Sequence, residues 1–474
     1  MVKRKDSRQV SRQPINGTVL RKAVRWAIAD EIFADVELHG NTKWKVADLV
    51  VLTIVWVWSN DPTLTGAFAE ARHWSLQVLG RVAVGTFQGL IKALVVWTAR
   101  LMPIVAERLH QLMEEHGGGH WRVGQWLALA VDGSRISVPR TLANERALCA
   151  PNYGQSATAK YRRTKRRKKG IRRRIRRKPN RSQNAAPVKP QIWVTLMWHM
   201  GLNMPWNWKT GPSNSSERDH FQTMLQEQKF PEKTLFCADA GFTGYDLWKA
   251  LVDGGHSFLI RVGANVTLLR KLGYVRERAG LVYFWPDKAA RKKQPPLTLR
   301  LLQCQVGRCQ VSLLTNVLGD DQLSDQDAIR LYKMRWGVEL QFRTVKQTFG
   351  RRKLRSRTPD HAYVELDWSL TGLWLIQLFA VKEQIAIGEI PSDCSVNMAI
   401  HLIRTMLQRW SEDAETTFAK RMQTATKDSY QRLRPKRARY QPDTKDKPAA
   451  GSPKIRTATK QHKIWLEQYI NTAA

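Results

Sequence analysis

Residues 331–350, LYKMRWGVELQFRTVKQTFG, predict one helix with two different faces. Upstream, Ser324 and Asp327 resemble an N-terminal capping box, and Gly350 is a typical stop. At about 100° per residue, five polar side chains share a stripe about 80° wide, and six apolar side chains form a separate face for the core. The polar set is Tyr332, Arg335, Glu339, Arg343 and Lys346, and the apolar set is Leu331, Met334, Val338, Phe342, Val345 and Phe349.

A lone acid among bases, such as Glu339, is often part of a surface ion-pair ladder that contributes little to stability. Two aspartates favour another explanation. Asp132 and Asp239 each follow a short apolar, strand-like run and precede a glycine by one or two residues. Taken singly, each is a common turn residue, but acids at strand ends of α/β folds lie where ligands bind. The three acids together predict a carboxylate site for two Mg²⁺ ions, which prefer oxygen ligands.

The patterning divides the chain into six parts. Helical periodicity gives way to alternating strands and helices after three glycines, then to short β-rich runs, then to helices again. The predicted parts are a polar arm (1–18), an all-α N-terminal domain that is a candidate for DNA binding (19–118), the first part of an α/β catalytic core (119–255), a β-rich insertion (256–322), a catalytic helix with C-terminal helices (323–410) and a basic tail that is mostly mobile (411–474).

Charge points to a polyanionic partner. The chain has 78 Lys and Arg against 40 Asp and Glu, a net charge of +38, which favours nucleic acid. Residues 160–181 hold 15 basic residues among 22 and no acid, so this loop is either an idle solvated segment or an arm that binds the DNA backbone. The residues assigned to the arm are Lys160, Arg162, Arg163, Lys165, Arg166, Arg167, Lys168, Lys169, Arg172, Arg173 and Arg174.

Other classes of protein fit the sequence poorly. The apolar runs at 49–58 and 373–381 are shorter than the ~20 residues of a membrane span, and the basic N-terminus leads into no apolar signal segment. We therefore expect no membrane partner and a cytoplasmic, nucleoid-associated location. The five cysteines form no CxxC pair, so they predict neither a disulfide framework nor a zinc site.

The pattern Y-x2-R-x3-E-x6-K, filled by Tyr332, Arg335, Glu339 and Lys346, resembles the signature of DDE transposases of bacterial insertion sequences, in the group that moves by cut and paste. DGSR at Asp132 and DAGFTG at Asp239 resemble that family's first and second acidic motifs. The resemblance covers about residues 127–346.

This resemblance implies an RNase H-like catalytic domain interrupted by a β-rich insertion, and a homodimer that holds paired DNA ends. It implies that Asp132, Asp239 and Glu339 bind Mg²⁺ or Mn²⁺ and that Tyr332, Arg335 and Lys346 engage phosphates of the DNA. Arg343, on the same stripe, joins the predicted DNA-binding residues.

Three further residues have open roles. Trp285 is the only Trp of the predicted insertion, and it is either a core aromatic or the aromatic that holds a flipped base in hairpin-forming relatives. For Glu217 and Arg261, structural salt bridges are the favoured roles. Two alternatives to a transposase also stay open: a nuclease of the same fold that does not join strands, and a non-catalytic basic DNA-binding protein derived from a transposase.

Overall fold

The computed structural model describes residues 17–38, 42, 44–149, 189–306, 309–408, 416–427 and 451–473. The chain divides into two units, Met1–Gly118 with Val364–Lys427 and Gly119–Tyr363 with Asp428–Ala474. The stretch 323–410, expected as one part, is thus divided between the two units after residue 363. The basic loop 160–181 lies outside the described residues.

The helices and strands are numbered here in chain order. The helices are α1 (Gly17–Ala27), α2 (Val46–Trp58), α3 (Leu64–Trp74), α4 (Phe87–Gly117), α5 (Leu142–Leu148), α6 (Glu217–Glu227), α7 (Tyr245–Asp253), α8 (Asp287–Arg291), α9 (Asp325–Met334), α10 (Trp336–Arg343), α11 (Pro359–Ile385), α12 (Val396–Gln408), α13 (Thr416–Gln423) and α14 (Lys460–Ala473). The strands are β1 (Leu127–Ser137), β2 (Gln191–His199), β3 (Met204–Pro212), β4 (Thr234–Ala238), β5 (Ser257–Val262), β6 (Thr267–Arg270), β7 (Leu281–Phe284), β8 (Leu297–Val306), β9 (Cys309–Thr315) and β10 (Lys454–Thr457).

The first unit is built around α2, whose residues are all buried. This helix approaches α11 closely at Gly372, where an added Cβ would lie 2.7 Å from the Val57 side chain, and Trp58 Nε1 donates to the Gly372 carbonyl at 2.8 Å. The one acid of α2, Asp48, is buried and forms ion pairs with Arg25 and Arg81. Its charge is therefore compensated, as burial of a carboxylate requires.

Two helices are long and apolar enough to cross a membrane, by length and composition alone: Phe87–His120 and Pro359–Ile385. The apolar window of the second is 94% buried inside the protein. In this structure that helix is part of the core of a folded domain, the usual alternative for such a segment.

The second unit contains a ten-stranded sheet with the order β10-β6-β7-β8-β9-β5-β4-β1-β2-β3. Strands β1, β2 and β3 form an antiparallel meander, whereas β4 pairs in parallel with both β1 and β5. The apolar runs LALAV and TLFCA are buried throughout, as central parallel strands require. This arrangement sets the residues that follow β4 beside the middle of β1.

Two expectations about this unit need correction. β5, placed by sequence in the insertion, pairs along β4 and belongs to the same sheet, which β6 to β9 extend. The tail is also partly ordered: β10 pairs with β6 in parallel, and α14 follows it. One physical reason is that α14 buries Leu466 and places Trp465 under the guanidinium of Arg291, 5.8 Å from the ring centroid. Apolar contacts of this kind are hard to recognise in a short polar segment.

Candidate active site

The register between β1 and β4 brings two acids together. Val131 pairs with Ala238 at the last residue of β4, so the next residues along the two parallel strands are Asp132 and Asp239. The prediction that Asp132 ends its strand is wrong, because β1 continues to Ser137 and Asp132 lies opposite Leu196 of β2. Parallel pairing, rather than a turn, places Asp132.

Burial dominates the electrostatics of Asp132. It raises the pKa of this carboxyl to about 6, and the charges of Asp239 and Glu339 raise it further, while the Gly133 amide and Arg335 oppose the rise. Like charges in a half-buried place disfavour the ionised form unless a cation is nearby. Asp239 and Glu339 are therefore both within electrostatic reach of Asp132.

The predicted catalytic helix spans the expected residues but is not one regular α-helix. Ser324 caps it by accepting a hydrogen bond from the Asp327 amide at 3.1 Å, as predicted, and Gly350 has a φ of 80°, typical of a residue after a helix end. Between them, α9 and α10 meet at Arg335, and a π-helical turn (Thr344–Thr348) follows α10. Such turns frequently occur at functional sites.

The helix carrying Glu339 is held against the sheet by a close contact. A Cβ added to Gly337 would lie 1.9 Å from the ring of Trp198 on β2, a distance that no real side chain tolerates. Glycine lets the backbone of α10 lie directly on that ring. This contact sets how far Glu339, two residues later, lies from the sheet. The predicted core face agrees: Leu331, Val338, Phe342, Val345 and Phe349 are buried and Met334 is half-buried.

Two cations of the helix, Arg335 and Lys346, make contacts within the protein, whereas Arg343 is exposed. Arg335 is buried, its Nη2 donates to Glu339 Oε1 at 3.1 Å, and its guanidinium lies 5.5 Å from the Tyr332 ring centroid. Lys346 donates to Ser134 Oγ at 2.6 Å, which brings its ammonium group to β1 near Asp132. Burial lowers the pKa of Lys346, although Asp132 opposes this. Arg343 is exposed, so the common stripe does not give all these residues the same surroundings.

Glu217 lies close to the predicted acids, whereas the sequence favoured only a structural salt bridge for it. It is the first residue of α6, after the cap Ser216, whose Oγ accepts from the Asp219 amide. A Cβ on Gly133 would lie 2.7 Å from Glu217 Oε2. A Cβ on Gly241 would lie 2.5 Å from Glu217 Oε1 and 2.9 Å from Asp239 Oδ1.

Glu217 and Asp239 are therefore neighbouring carboxylates, and among the described residues Glu217 forms no ion pair of the kind that was expected. Burial raises the pKa of Glu217 to about 7, with further contributions from Asp239 and Asp132. The available signal in the sequence was an acid directly after a helix cap in the α/β region.

Arg261 and Trp285 also have definite surroundings. The Arg261 side chain, on β5, lies close to Tyr332; burial raises the pKa of this tyrosine, while Arg335 and Arg261 oppose the rise. Within the described residues, the neighbour of Arg261 is thus Tyr332 of the predicted signature, and Arg261 forms no ion pair with an acid. Trp285 is 2% exposed and its Nε1 donates to the Gln294 carbonyl at 2.9 Å, so it is a core aromatic in this structure.

Carboxylate oxygens are the hard donors that Mg²⁺ and Mn²⁺ take, so the donor set of Asp132, Asp239 and Glu339 fits such an ion. Across the described ranges, no group of three or more His, Cys, Asp or Glu side chains already forms a set that could hold a metal ion. The acids are thus neighbours rather than a closed coordination shell.

The fold and the site define an α/β protein in which acids from a central strand, the end of its neighbour and two helices lie near one another, with Arg335 and Lys346 beside them. Residues 127–375 match the profile of the family described as the transposase DDE domain, which covers more than half of the chain. The chain belongs to this family.

Known proteins that are similar to it include a curated transposase and a solved transposase structure. The transposase InsG for insertion sequence element IS4 of Escherichia coli (strain K12) is 28% identical over 230 residues, which are 46% of this chain and 51% of that protein. The chain thus spans about half the length of the curated relative it matches. A cryo-EM structure of a piggyBac transposase synaptic complex with hairpin DNA is similar over 90% of this chain and 89% of that one, with 10% identity and a TM-score of 0.39.

Proposed function

We propose that this protein is a DNA transposase that cuts at the ends of an insertion sequence and joins the liberated 3′-hydroxyls to target DNA. The observation that carries the proposal is the convergence of Asp132, Asp239 and Glu339, from two parallel strands and one helix, within a domain of the transposase DDE family. The strand order β3-β2-β1-β4-β5, with the first three antiparallel and the last two parallel to β1, supports an RNase H-like core.

The three carboxylates are proposed to hold divalent metal, Mg²⁺ or Mn²⁺. When bound, such ions activate water or a 3′-hydroxyl and stabilise the leaving oxygen in displacement at phosphorus. Asp132 and Asp239 fix one side of the site through the sheet, and Glu339 closes it from α10. Arg335 orients Glu339 through their hydrogen bond.

The surrounding cations are proposed to bind the DNA backbone. Lys346 donates a hydrogen bond to Ser134 and presents a positive charge near Asp132. There it would neutralise the negative charge of a phosphate next to the scissile one. Tyr332, near Asp239, and Arg261, near Tyr332, offer further hydrogen-bond donors. Exposed Arg343 and the basic residues of 160–181 are proposed to add phosphate contacts, each of which releases counterions and strengthens binding.

The partners follow from the reaction. Both ends of an element must be cut together, so we propose a homodimer that holds two DNA ends, acting in the cytoplasm on the nucleoid. The Y-x2-R-x3-E-x6-K pattern is proposed to act as it does in transposases of insertion sequences, and nothing in the described residues favours a hairpin intermediate.

The test uses a plasmid that carries the DNA flanking the coding region, incubated with the full-length protein and Mn²⁺. Glu339→Gln and Asp239→Asn are expected to lose cleavage by about 10³-fold or more while still retarding the DNA in a gel, because removing a metal ligand removes most of the electrostatic stabilisation of the transition state. Asp246→Asn, at an exposed position of α7, is the matched control and should cleave normally.

Cleavage at the wild-type rate by either site variant would reject the proposed metal site. Strand joining is tested separately with a precut end that carries a free 3′-hydroxyl. Cleavage without joining would identify a nuclease instead, and binding without either reaction would identify a non-catalytic DNA-binding protein.

A further inference from the structure

We infer that Glu217 is a fourth carboxylate ligand of the metal site, beside Asp132, Asp239 and Glu339. This inference rests on the proposed function, because it concerns the same site. The pattern Y-x2-R-x3-E-x6-K and the two aspartate motifs do not include Glu217. Its spacing from these motifs along the chain does not single it out either.

The Glu217 carboxylate lies directly against the backbone of two glycines. Both glycines in contact with it, Gly133 after Asp132 and Gly241 after Asp239, would place a Cβ within 2.7 Å of one of its oxygens. Any other residue at either position would displace the carboxylate. The two glycines therefore leave space for the Glu217 carboxylate close to both aspartates.

Ordinary structural roles do not account for this position. Within the described part of the chain Glu217 forms no ion pair, although the charges of Arg218 and Arg135 are near enough to oppose the rise of its pKa. The helix α6 is already capped by Ser216, and the exposed Asp219 already places a negative charge in its first turn, where it complements the helix dipole. Placing the Glu217 carboxylate beside Asp132 and Asp239 is unfavourable because like charges repel, unless a cation lies between them.

The chemistry of the metal gives this carboxylate a use. Two octahedral ions have about twelve coordination positions, which are shared between protein, water and phosphate oxygens. Three carboxylates leave most of these positions to exchangeable ligands. A fourth, reaching the site from α6 on the side of Asp239 and Gly133, would hold the second ion when DNA is absent.

The experiment titrates Mn²⁺ into the metal-free, full-length protein and follows the heat by calorimetry and free Mn²⁺ by electron paramagnetic resonance. Wild type, Glu217→Gln, Glu217→Asp, Asp219→Asn and Asp239→Asn are compared. Asp219→Asn is the matched control, because it removes one charge from the same helical turn at an exposed position. The melting temperature of each variant in EDTA checks that it is folded.

We expect Glu217→Gln to bind one Mn²⁺ fewer, or to bind it about 10-fold more weakly, Glu217→Asp to lie between it and the wild type, and Asp219→Asn to match the wild type. Wild-type binding by Glu217→Gln together with weak binding by Asp239→Asn would overturn this inference and leave the proposed function standing. If the wild type and Asp239→Asn bind no Mn²⁺, the metal site itself is wrong and both proposals fail. If Glu217→Gln does not fold, Glu217→Asp decides: unchanged stoichiometry and affinity would overturn the inference.

Discussion

Asp132→Asn is expected to make the metal-free protein more stable at neutral pH. Asp132 is held in a half-buried place beside two other acids, which raises its pKa from the ordinary 3.8 to about 6. A carboxyl with a raised folded-state pKa binds more protons when folded than when unfolded. Its contribution to the free energy of unfolding is therefore lost as the pH rises from about 4 to about 6.

The magnitude follows from the size of that rise, which corresponds to about 3 kcal/mol at pH values above both pKa values. An asparagine has the same shape, can still accept the Gly133 hydrogen bond and carries no charge, so it avoids this cost. The figure is an upper limit, because the new amide hydrogens also need partners.

The assay is urea unfolding in EDTA, followed by tryptophan fluorescence at pH 4 and pH 8. We expect Asp132→Asn to exceed the wild type by about 1 to 3 kcal/mol at pH 8, and the difference to nearly disappear at pH 4. Asp246→Asn, an exposed acid of α7, should change neither value. Mn²⁺ should then stabilise the wild type but not the variant, since only binding to the folded state adds stability.

An Asp132→Asn protein that is equal to or less stable than the wild type at pH 8 in EDTA would refute this reasoning. It would mean that Asp132 is not electrostatically disfavoured in the folded state. The gathering of acids would then cost no stability, and the argument that the site is built for a cation would lose its energetic support.

Two further predictions concern the catalytic helix. Gly337→Ala should destabilise the protein by about 1 to 3 kcal/mol, because its Cβ would lie 1.9 Å from the Trp198 ring and would push α10 off the sheet. Urea unfolding measures the free energy of unfolding of this variant beside Lys333→Ala, a change at an exposed position of α9. A Gly337→Ala protein as stable as the wild type would contradict the packing argument. Lys346→Ala should weaken DNA binding and reduce the slope of log affinity against log salt concentration by about 1. Fluorescence anisotropy measures this slope beside the control Lys249→Ala, which removes one positive charge from α7. An unchanged slope for Lys346→Ala would argue against a phosphate contact.

Periodicity made the catalytic helix predictable in extent. Ser324 and Gly350 mark its ends because capping and left-handed backbone are local properties of a few residues. The break at Arg335 and the π-helical turn carrying Lys346 were not predictable, because they depend on how the helix packs on β1 and β2. Helical-wheel spacing assumes a regular helix and fails to describe a residue inside such a turn.

The sequence by itself determined the local features of this protein: which runs form strands, where helices begin, and which acids stand near apolar segments. Only the tertiary structure decided that Asp132 lies within a strand, that β4 sets Asp239 beside it, and that Glu217 joins them. The physical reason is that strand pairing and close glycine contacts act between residues far apart in the chain, from Gly133 to Glu217 for example, and the residue types alone do not encode which distant segments will pair.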